Sequence, residues 1–519
     1  MTRLLALSVF LFTPFLLFSQ LLLLGHLPYD SASLAGCWHH VDSSGGEWAL
    51  VGTSKGLSIV DLSDPSQPVQ RFAIPGISSN WREVKTWGGY AYVGSEAPGS
   101  GITIVDLREL PDTVRWKVWK GDGVYLDQVQ RSHTVAATDG WLYVFGGSTV
   151  TNGAVIADLS DPWNPQIKGQ YTDFYVHDGY IRGDTLWSSE IYAGQFTVID
   201  VSDKSAPVPL TSTPTPGAFN HNSWLSDNSQ ILFTTDEKSN APLGSFDVSD
   251  LDNITLLDTY FPSVFPNKEV HNVRVLNDFL INPSYGGQLT IVDASRPDNL
   301  IETAWASLGN SLVWDADPYL PSGILFATAK NEGLFVYQPS YQHAAWLEGL
   351  VSDAQTGEPL NGAKVFIINT LNADTTRPDG LYKTGNGQAG TFSVLAVKPG
   401  YTPKTIDGVL LQSGVVTTLN ISLEPGFVQV AQPSEESNIA VYPNCFSDGF
   451  HVNLASDGPF KPGNARVLLI DAQGKTVLEQ ALNEADTVVR PEAALPAGAY
   501  RLVVQQGNLS SRAYPLIKS

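Results

Sequence analysis

Four histidines recur at near-constant spacing: His133, His177, His221 and His271 stand 44, 44 and 50 residues apart. His40 and Glu83 precede them and Trp314-Asp315 follows them at comparable intervals, and Asp178 adjoins His177. Neutral imidazoles gathered on one ring can hold Zn²⁺, Mn²⁺ or Fe²⁺ and leave a position open for water or substrate. The four histidines are therefore a candidate divalent-metal site. The wider set, His40, Glu83, His133, His177, Asp178, His221, His271, Trp314 and Asp315, is a candidate ligand-binding mouth. Two other uses fit the same residues. His-Asp and His-Asn pairs can bond the backbone of the next structural unit as a plug, and a polar pocket can bind a ligand with no metal at all.

These spacings need a repeating scaffold, and the chain has one. GLSIVDLSDPSQP at 56–68 returns as GITIVDLRELPD, GAVIADLSDPWNP, QFTVIDVSDKSAP, LGSFDVSDLDN and QLTIVDASRPDN, with a worn copy, GLFVYQPS, at 333–340. A fixed period of 20 to 50 residues marks a repeat architecture. The sixth unit shows the parse: HNVRVLN, DFLINPSY, QLTIVDAS and NLIETAWA read as four strands with Gly, Asn, Asp or Pro at the joints. The VIVD run is almost wholly apolar, as a strand covered on both faces requires. Asp61, Asp106, Asp158, Asp200, Asp247 and Asp293 end the good copies and read as turn formers, because Asx side chains bond backbone amides two residues on.

A four-stranded unit cannot bury both faces alone, so such units pack side by side and close into a β-propeller. Seven copies predict seven blades over 20–342, with each first strand lining a central channel. The seventh unit lacks a clear outermost strand. QLLLLGHL at 20–27 is expected to supply it, latching the ring and removing an open sheet edge.

Composition agrees with an all-β chain. Of 519 residues only 16% are charged, while Gly 46 and Pro 33 supply turns, and 43% hydrophobic content is enough for real cores. A net charge of −22 excludes a nucleic-acid-coating role and argues against an anionic membrane partner. No P-loop or His-Glu-x-x-His motif occurs. Thr234-Thr235-Asp236-Glu237 can aim a carboxylate at the same mouth, although carboxylates in turns are usually solvated. Trp81, Trp87, Trp141, Trp224 and Trp314 can stack on sugars, but a strand Trp more often packs between blades.

Longer segments carry family resemblances. WREVKTWGGYAYVGSE, YVHDGYI, FNHNSWL, LFTTDE, EVHNVRV and LPSGILFATAKNEGLFVY make the stretch from about 21 to 340 resemble the LVIVD-repeat proteins called the choice-of-anchor B family. CWHH at 37–40 and VWDADP at 313–318 depart from its pattern. This resemblance implies the propeller and a surface location and lends no reaction. WLEGLVSDAQTGEPLNGAKVFI, GTFSVLAVKPGYTPKTI and VVTTLNISLEP make 345–424 resemble the carboxypeptidase regulatory-like domain, a transthyretin-type β-sandwich that implies a spacer rather than a peptidase. After a linker at 425–437, residues 438–519 resemble the type A sorting domain of the type IX secretion system. Tyr442, Pro443, Asn444, Gly474, Gly498, Tyr500 and Lys518 carry that match, with Cys445 where a second proline is usual. This resemblance implies contact with the type IX machinery, export across both membranes of a diderm bacterium, and release or attachment to surface glycolipid.

The fold class expected is thus all-β: a seven-bladed β-propeller followed by two small β-sandwich domains. Arg3, the apolar run Leu4–Phe18 and Ser19-Gln20 read as a signal peptide over 1–19. Pro14 and the Ser19-Gln20 pair break the run that would otherwise span a bilayer, so no transmembrane span is expected in the mature protein. Cys37 and Cys445 fall in different domains, and a bridge between them is not expected; Cys37 reads as a buried thiol. The favoured function is a secreted or cell-surface binding module for a glycan, peptide or partner protein, working as a monomer. The alternative is a secreted propeller hydrolase or lyase that uses a metal on the channel histidines.

Overall fold

The computed structural model describes residues 21–147, 152–263, 269–426, 439–442, 445–446, 448–455, 458–471, 475–491, 495–496, 498–507, 509–511 and 514–518. The leader at 1–19, most of the linker at 425–437, and Pro443, Asn444 and Gly474 of the expected sorting signal lie outside them. The chain is all-β, and the one helical turn among the described residues is a 3₁₀ turn at Gly123–Tyr125.

Between Leu22 and Gln338 the described strands form seven antiparallel four-stranded sheets, consistent with the blades of a propeller. The fifth is typical: Asn220–Leu225, Ile231–Asp236, Leu243–Asp247 and Thr255–Tyr260, hydrogen-bonded in that order. Its second and third strands are nearly all buried, whereas its outermost strand is mostly exposed. The apolar VIVD-type runs fill the gaps between neighbouring sheets, where Ile59, Ile104, Ile156, Val198, Phe246 and Ile291 are buried. Burying such a side chain contributes about 1.5–3 kcal/mol relative to exposure, which is why the blades stack.

The repeat aspartates make the turns expected of them. Asp61, Asp106, Asp158, Asp200, Asp247 and Asp293 each accept a hydrogen bond from the backbone N–H two residues on. Ring closure follows the latch: Leu22–Leu27 is the fourth strand of the last sheet, antiparallel to Gly333–Gln338, with Leu23 opposite Tyr337.

Six of the seven inner strands pair irregularly where they enter the mouth, and this decides the site. A β-bulge sets two residues of the first strand against one of the second in the first, fifth and seventh blades, at Ala35-Gly36, His221-Asn222 and Trp314-Asp315. In the third, fourth and sixth blades the N–H groups of His133, His177 and His271 donate to the carbonyls of Phe145, Ser189 and Pro283 ahead of the regular pairing, which begins at Val135, Asp178 and Arg274. In the second blade Glu83 pairs one-to-one with Gly94. Bulges re-aim side chains, and here they do so at the channel mouth.

Residues Ala345–Leu423 form the first sandwich, with core residues Val351, Val365, Val394 and Leu411. It is built against the sixth blade rather than tethered to it. Ile301, Ala344 and Trp346 make an apolar seam, Arg296 pairs with Glu348 at 2.7 Å, and Lys383 pairs with Asp298. Trp346 Nε1 donates to the Asn299 carbonyl at 3.2 Å and Asn299 Nδ2 to the Thr384 carbonyl at 3.1 Å. The compact unit accordingly runs through Glu424.

The second unit, 425–519, has a three-stranded sheet, Ile439–Tyr442, Phe450–Leu454 and Asp486–Val489, against a six-stranded one centred on Gly498–Gln506 and Ala465–Ile470. Phe450, Val452, Val467, Leu469, Leu502 and Val504 are its core. Tyr500 is buried and donates to the Pro496 carbonyl at 2.7 Å, Tyr442 stacks on His451 at 5.1 Å, Gly498 opens its strand, and Lys518 ends the strand paired to it.

Candidate functional site

The channel mouth gathers one residue per blade from the start of the inner strand. In ring order these are Gly36, Glu83, His133, His177, His221, His271 and Trp314. The four histidines form a continuous arc, with ring centroids 3.9, 4.4 and 4.1 Å apart in sequence order, and His271 meets Trp314 edge-on at 5.0 Å. Trp314 Nε1 then reaches past the first blade to donate to Glu83 Oε1 at 3.0 Å. Gly36 makes this possible: a Cβ there would stand 2.0 Å from Glu83 Oε2.

His40 does not join the ring. Its strand, Leu34–Val41, passes the mouth at Ala35-Gly36, so His40 lies four residues beyond, opposite Trp48 near the hairpin turn. Burial pushes its pKa down to about 4, with Asp42 opposing. The spacing misleads because the first blade has a long hairpin, Asp42–Gly46, whose Asp42 accepts from Ser44 and Gly46 N–H and from Trp48 Nε1. That loop moves every position counted back from Asp61.

The residues next in sequence tie the blades together. Asp178 Oδ2 accepts from Asn222 Nδ2 at 2.6 Å, Asn222 Oδ1 from Val273 N–H at 3.0 Å, and the Trp314 carbonyl from Asn272 Nδ2 at 3.1 Å. Asp315, wholly buried, accepts from Arg274 Nη2 with both oxygens, at 2.7 and 2.9 Å, and also accepts the Cys37 N–H at 3.3 Å. Cys37 is a free, buried thiol whose pKa burial pushes well up. One tier further in, Trp38, Trp224 and Tyr319 meet with centroids 5.8 to 6.4 Å apart, and Arg274 lies 4.9 Å over Trp224. The result is a narrow pocket with about 30 Å³ of water-accessible room, lined by histidine, acid, amide and Lys85, with an aromatic floor.

Two carboxylates complete the mouth. Glu96 Oε1 accepts from His133 Nδ1 at 2.5 Å. Glu237 stands 3.9 Å from both His221 Nε2 and His271 Nε2 and accepts the Tyr285 hydroxyl at 3.0 Å. Sequence reasoning set Glu237 aside as a solvated turn residue and did not weigh Glu96. A signal was there: Glu96, Glu237 and Tyr285 each directly follow the second strand of a blade that precedes a histidine-bearing blade or bears one. Buried imidazoles here stay neutral. Burial first, then the neighbouring rings, hold His177 well below its ordinary pKa; burial lowers His221 against the pull of Glu237, and lowers His271 strongly. Burial, then Asp315, raises the Glu83 carboxyl to about 7.

Known proteins overlap this chain in pieces. LVIVD repeats are matched at residues 43–73, 132–173 and 192–215, that is, on the first, third and fourth blades. The carboxypeptidase regulatory-like domain is matched at 347–424, the first sandwich. Carboxypeptidase D of Rattus norvegicus is 30% identical over 91 residues, 18% of this chain, which spans only 6% of that protein. Among solved structures, a putative 6-phosphogluconolactonase from Bacteroides uniformis ATCC 8492 is 12% identical, covering 58% of this chain and 89% of that one at a TM-score of 0.43.

Proposed function

We propose that this chain is an exported protein of the diderm surface or medium whose propeller is a non-catalytic binding module. Its ligand is a glycan, peptide or partner-protein group held at the histidine mouth. LVIVD repeats and a carboxypeptidase regulatory-like domain fit an extracellular β-propeller protein. The cavity carries the reading: Glu83, Lys85, Asp178 and Asn222 converge above the aromatic floor of Trp224, the combination of a few placed polar groups on an apolar base that ligand sites use. In this reading the first sandwich presents the propeller, and 438–519 acts as a type IX sorting domain in a choice-of-anchor B protein.

Glycan-array and peptide-library binding by the full chain tests the module. Lys85→Ala and Asp178→Asn should each remove the selected ligand with folding unchanged; equal binding by both variants and wild type would place the ligand elsewhere and defeat the proposal. Deleting 438–519 should leave the chain in the periplasm, and unaltered export would remove the sorting role. A hydrolase or lyase is the second reading, favoured by the convergence of imidazole Nε2 atoms on Glu237.

A further inference from the structure

His271 has its tautomer fixed by a neighbour. Its Nδ1 lies 2.6 Å from the Trp314 carbonyl, which can only accept, so in the neutral ring Nδ1 carries the hydrogen and Nε2 the lone pair. That Nε2 faces Glu237 Oε1 at 3.9 Å. His221 Nε2 faces the other carboxylate oxygen at the same distance. The Nδ1 atoms of His177 and His221 are buried and make no hydrogen bond among the described residues. His271 thus offers Nδ1 to the next blade and Nε2 to the mouth. His133 repeats the arrangement at the far end of the arc, with Nδ1 on the Glu96 carboxylate.

With His221 in the same tautomer, lone pairs converge on Glu237, and no cation pairs with them among the described residues. Glu237 accepts one hydrogen bond, from Tyr285, and Lys330, the nearby cation, lies 4.8 Å over the Trp314 ring without pairing with that carboxylate. Three acceptors facing one another repel unless a cation or a proton lies between them. Their spacing is within reach of an ion: ligand atoms of a tetrahedral Zn²⁺ shell stand about 3.4 Å apart, so side-chain movements of about 0.5 to 1.5 Å close the set. The ligand atoms of His221, Glu237 and His271 all lie within 4.8 Å of one another, as do those of His133, His177 and His221.

We infer that the mouth is a divalent transition-metal site, with His221 Nε2, His271 Nε2 and a Glu237 oxygen as its ligands. The Trp314 carbonyl and the Tyr285 hydroxyl orient them, in the way outer partners hold ligands elsewhere. His177 and His133 wall the open side. Two imidazoles and a carboxylate suit Zn²⁺, Mn²⁺ or Fe²⁺ and leave at least one position for water or a ligand atom.

The site shares its mouth with the pocket of the proposed binding module but is tested by the metal alone, so either can fail without the other. The full chain, stripped with chelator, is titrated calorimetrically with Zn²⁺ and with Mn²⁺, and retained metal is counted by mass spectrometry. One equivalent is expected, with a raised melting temperature. Glu237→Gln and His271→Gln should weaken binding at least a hundredfold, and Tyr285→Phe about tenfold. Glu237 is the more exposed ligand, so Glu237→Gln carries the test should His271→Gln fail to fold. Absence of binding by either ion at micromolar concentration would overturn the site. So would unchanged affinity in Glu237→Gln, or loss of metal in His177→Gln but not in His271→Gln.

Discussion

Around one channel, the third to sixth blades and the seventh, first and second blades place side chains at the same repeat position and treat them differently. On the second side the groups at the mouth are paired with one another. Asp315 takes Arg274 and the Cys37 N–H, Trp314 takes Glu83, and Gly36 is bare so that the last pair can meet. On the histidine side two Nδ1 atoms lack partners and two Nε2 atoms converge on a carboxylate. Buried polar groups in folded proteins are normally satisfied, so the side that leaves them open is the side kept for something else. Repetition conveys a position; the partner available there decides between scaffold and site.

The largest test of the contrast removes the keystone of the paired side. Asp315→Ala leaves Arg274 charged and buried, and breaking a buried pair from one end costs about 3–5 kcal/mol. Denaturant unfolding of the propeller should show that loss; a change under 1 kcal/mol would mean this side is no more structural than the arc. By contrast, His177→Gln should cost far less, because no hydrogen bond of its Nδ1 is lost.

Glu83 sharpens the comparison through pH. Burial raises its carboxyl from an ordinary 4.5 to about 7, so the fold favours the protonated acid. Stability withheld at pH 8 is recovered as pH falls through about 7 and is complete below the unfolded value near 4.5. Glu83→Gln keeps an acceptor for Trp314 without the charge. It should therefore be more stable than wild type at pH 8, by at most about 3 kcal/mol, with the difference shrinking to nothing near pH 4.5. Melting temperatures of both proteins across that range decide it, and a pH-independent difference would refute the assignment.

Gly36→Ala probes the same pair sterically. Its Cβ would meet the Glu83 carboxylate, and overpacking of this kind costs about 1–3 kcal/mol. Combining it with Glu83→Ala should restore most of the loss, and a coupling energy near zero in the double-mutant cycle would show that the two do not touch.

Much of this was legible because it is local or periodic. The Asx turns follow from residues two apart, and the blades from an apolar run that recurs. The histidine arc was legible because the repeat carries the start of the inner strand along with it. His40 was misplaced because a single long hairpin, Asp42–Gly46, changes the count within one blade. Glu237 was undervalued because its worth depends on His271 from the next blade, a contact no local pattern encodes. The seam to the first sandwich was illegible for the same reason: Asn299 and Trp346 meet only after the sixth blade has formed.

The smallest expected effects separate two copies of one turn. Asp247 and Asp293 occupy the same repeat position, and each accepts the N–H and hydroxyl of the serine two residues on. Asp247 does nothing more, so Asp247→Ala should cost about 0.5–1.5 kcal/mol, the net worth of such bonds. Asp293 is wholly buried and its second oxygen takes the Ala344 N–H at 2.7 Å and His343 Nδ1 at 3.2 Å, where the chain enters the sandwich. Asp293→Ala strands that amide, so it should cost about 1–3 kcal/mol and speed hydrogen exchange at Ala344 and Trp346. Exchange left unchanged there would mean that the seam of Ile301, Ala344 and Trp346 holds the sandwich without this turn, and that the sixth copy, like the fifth, is only a corner.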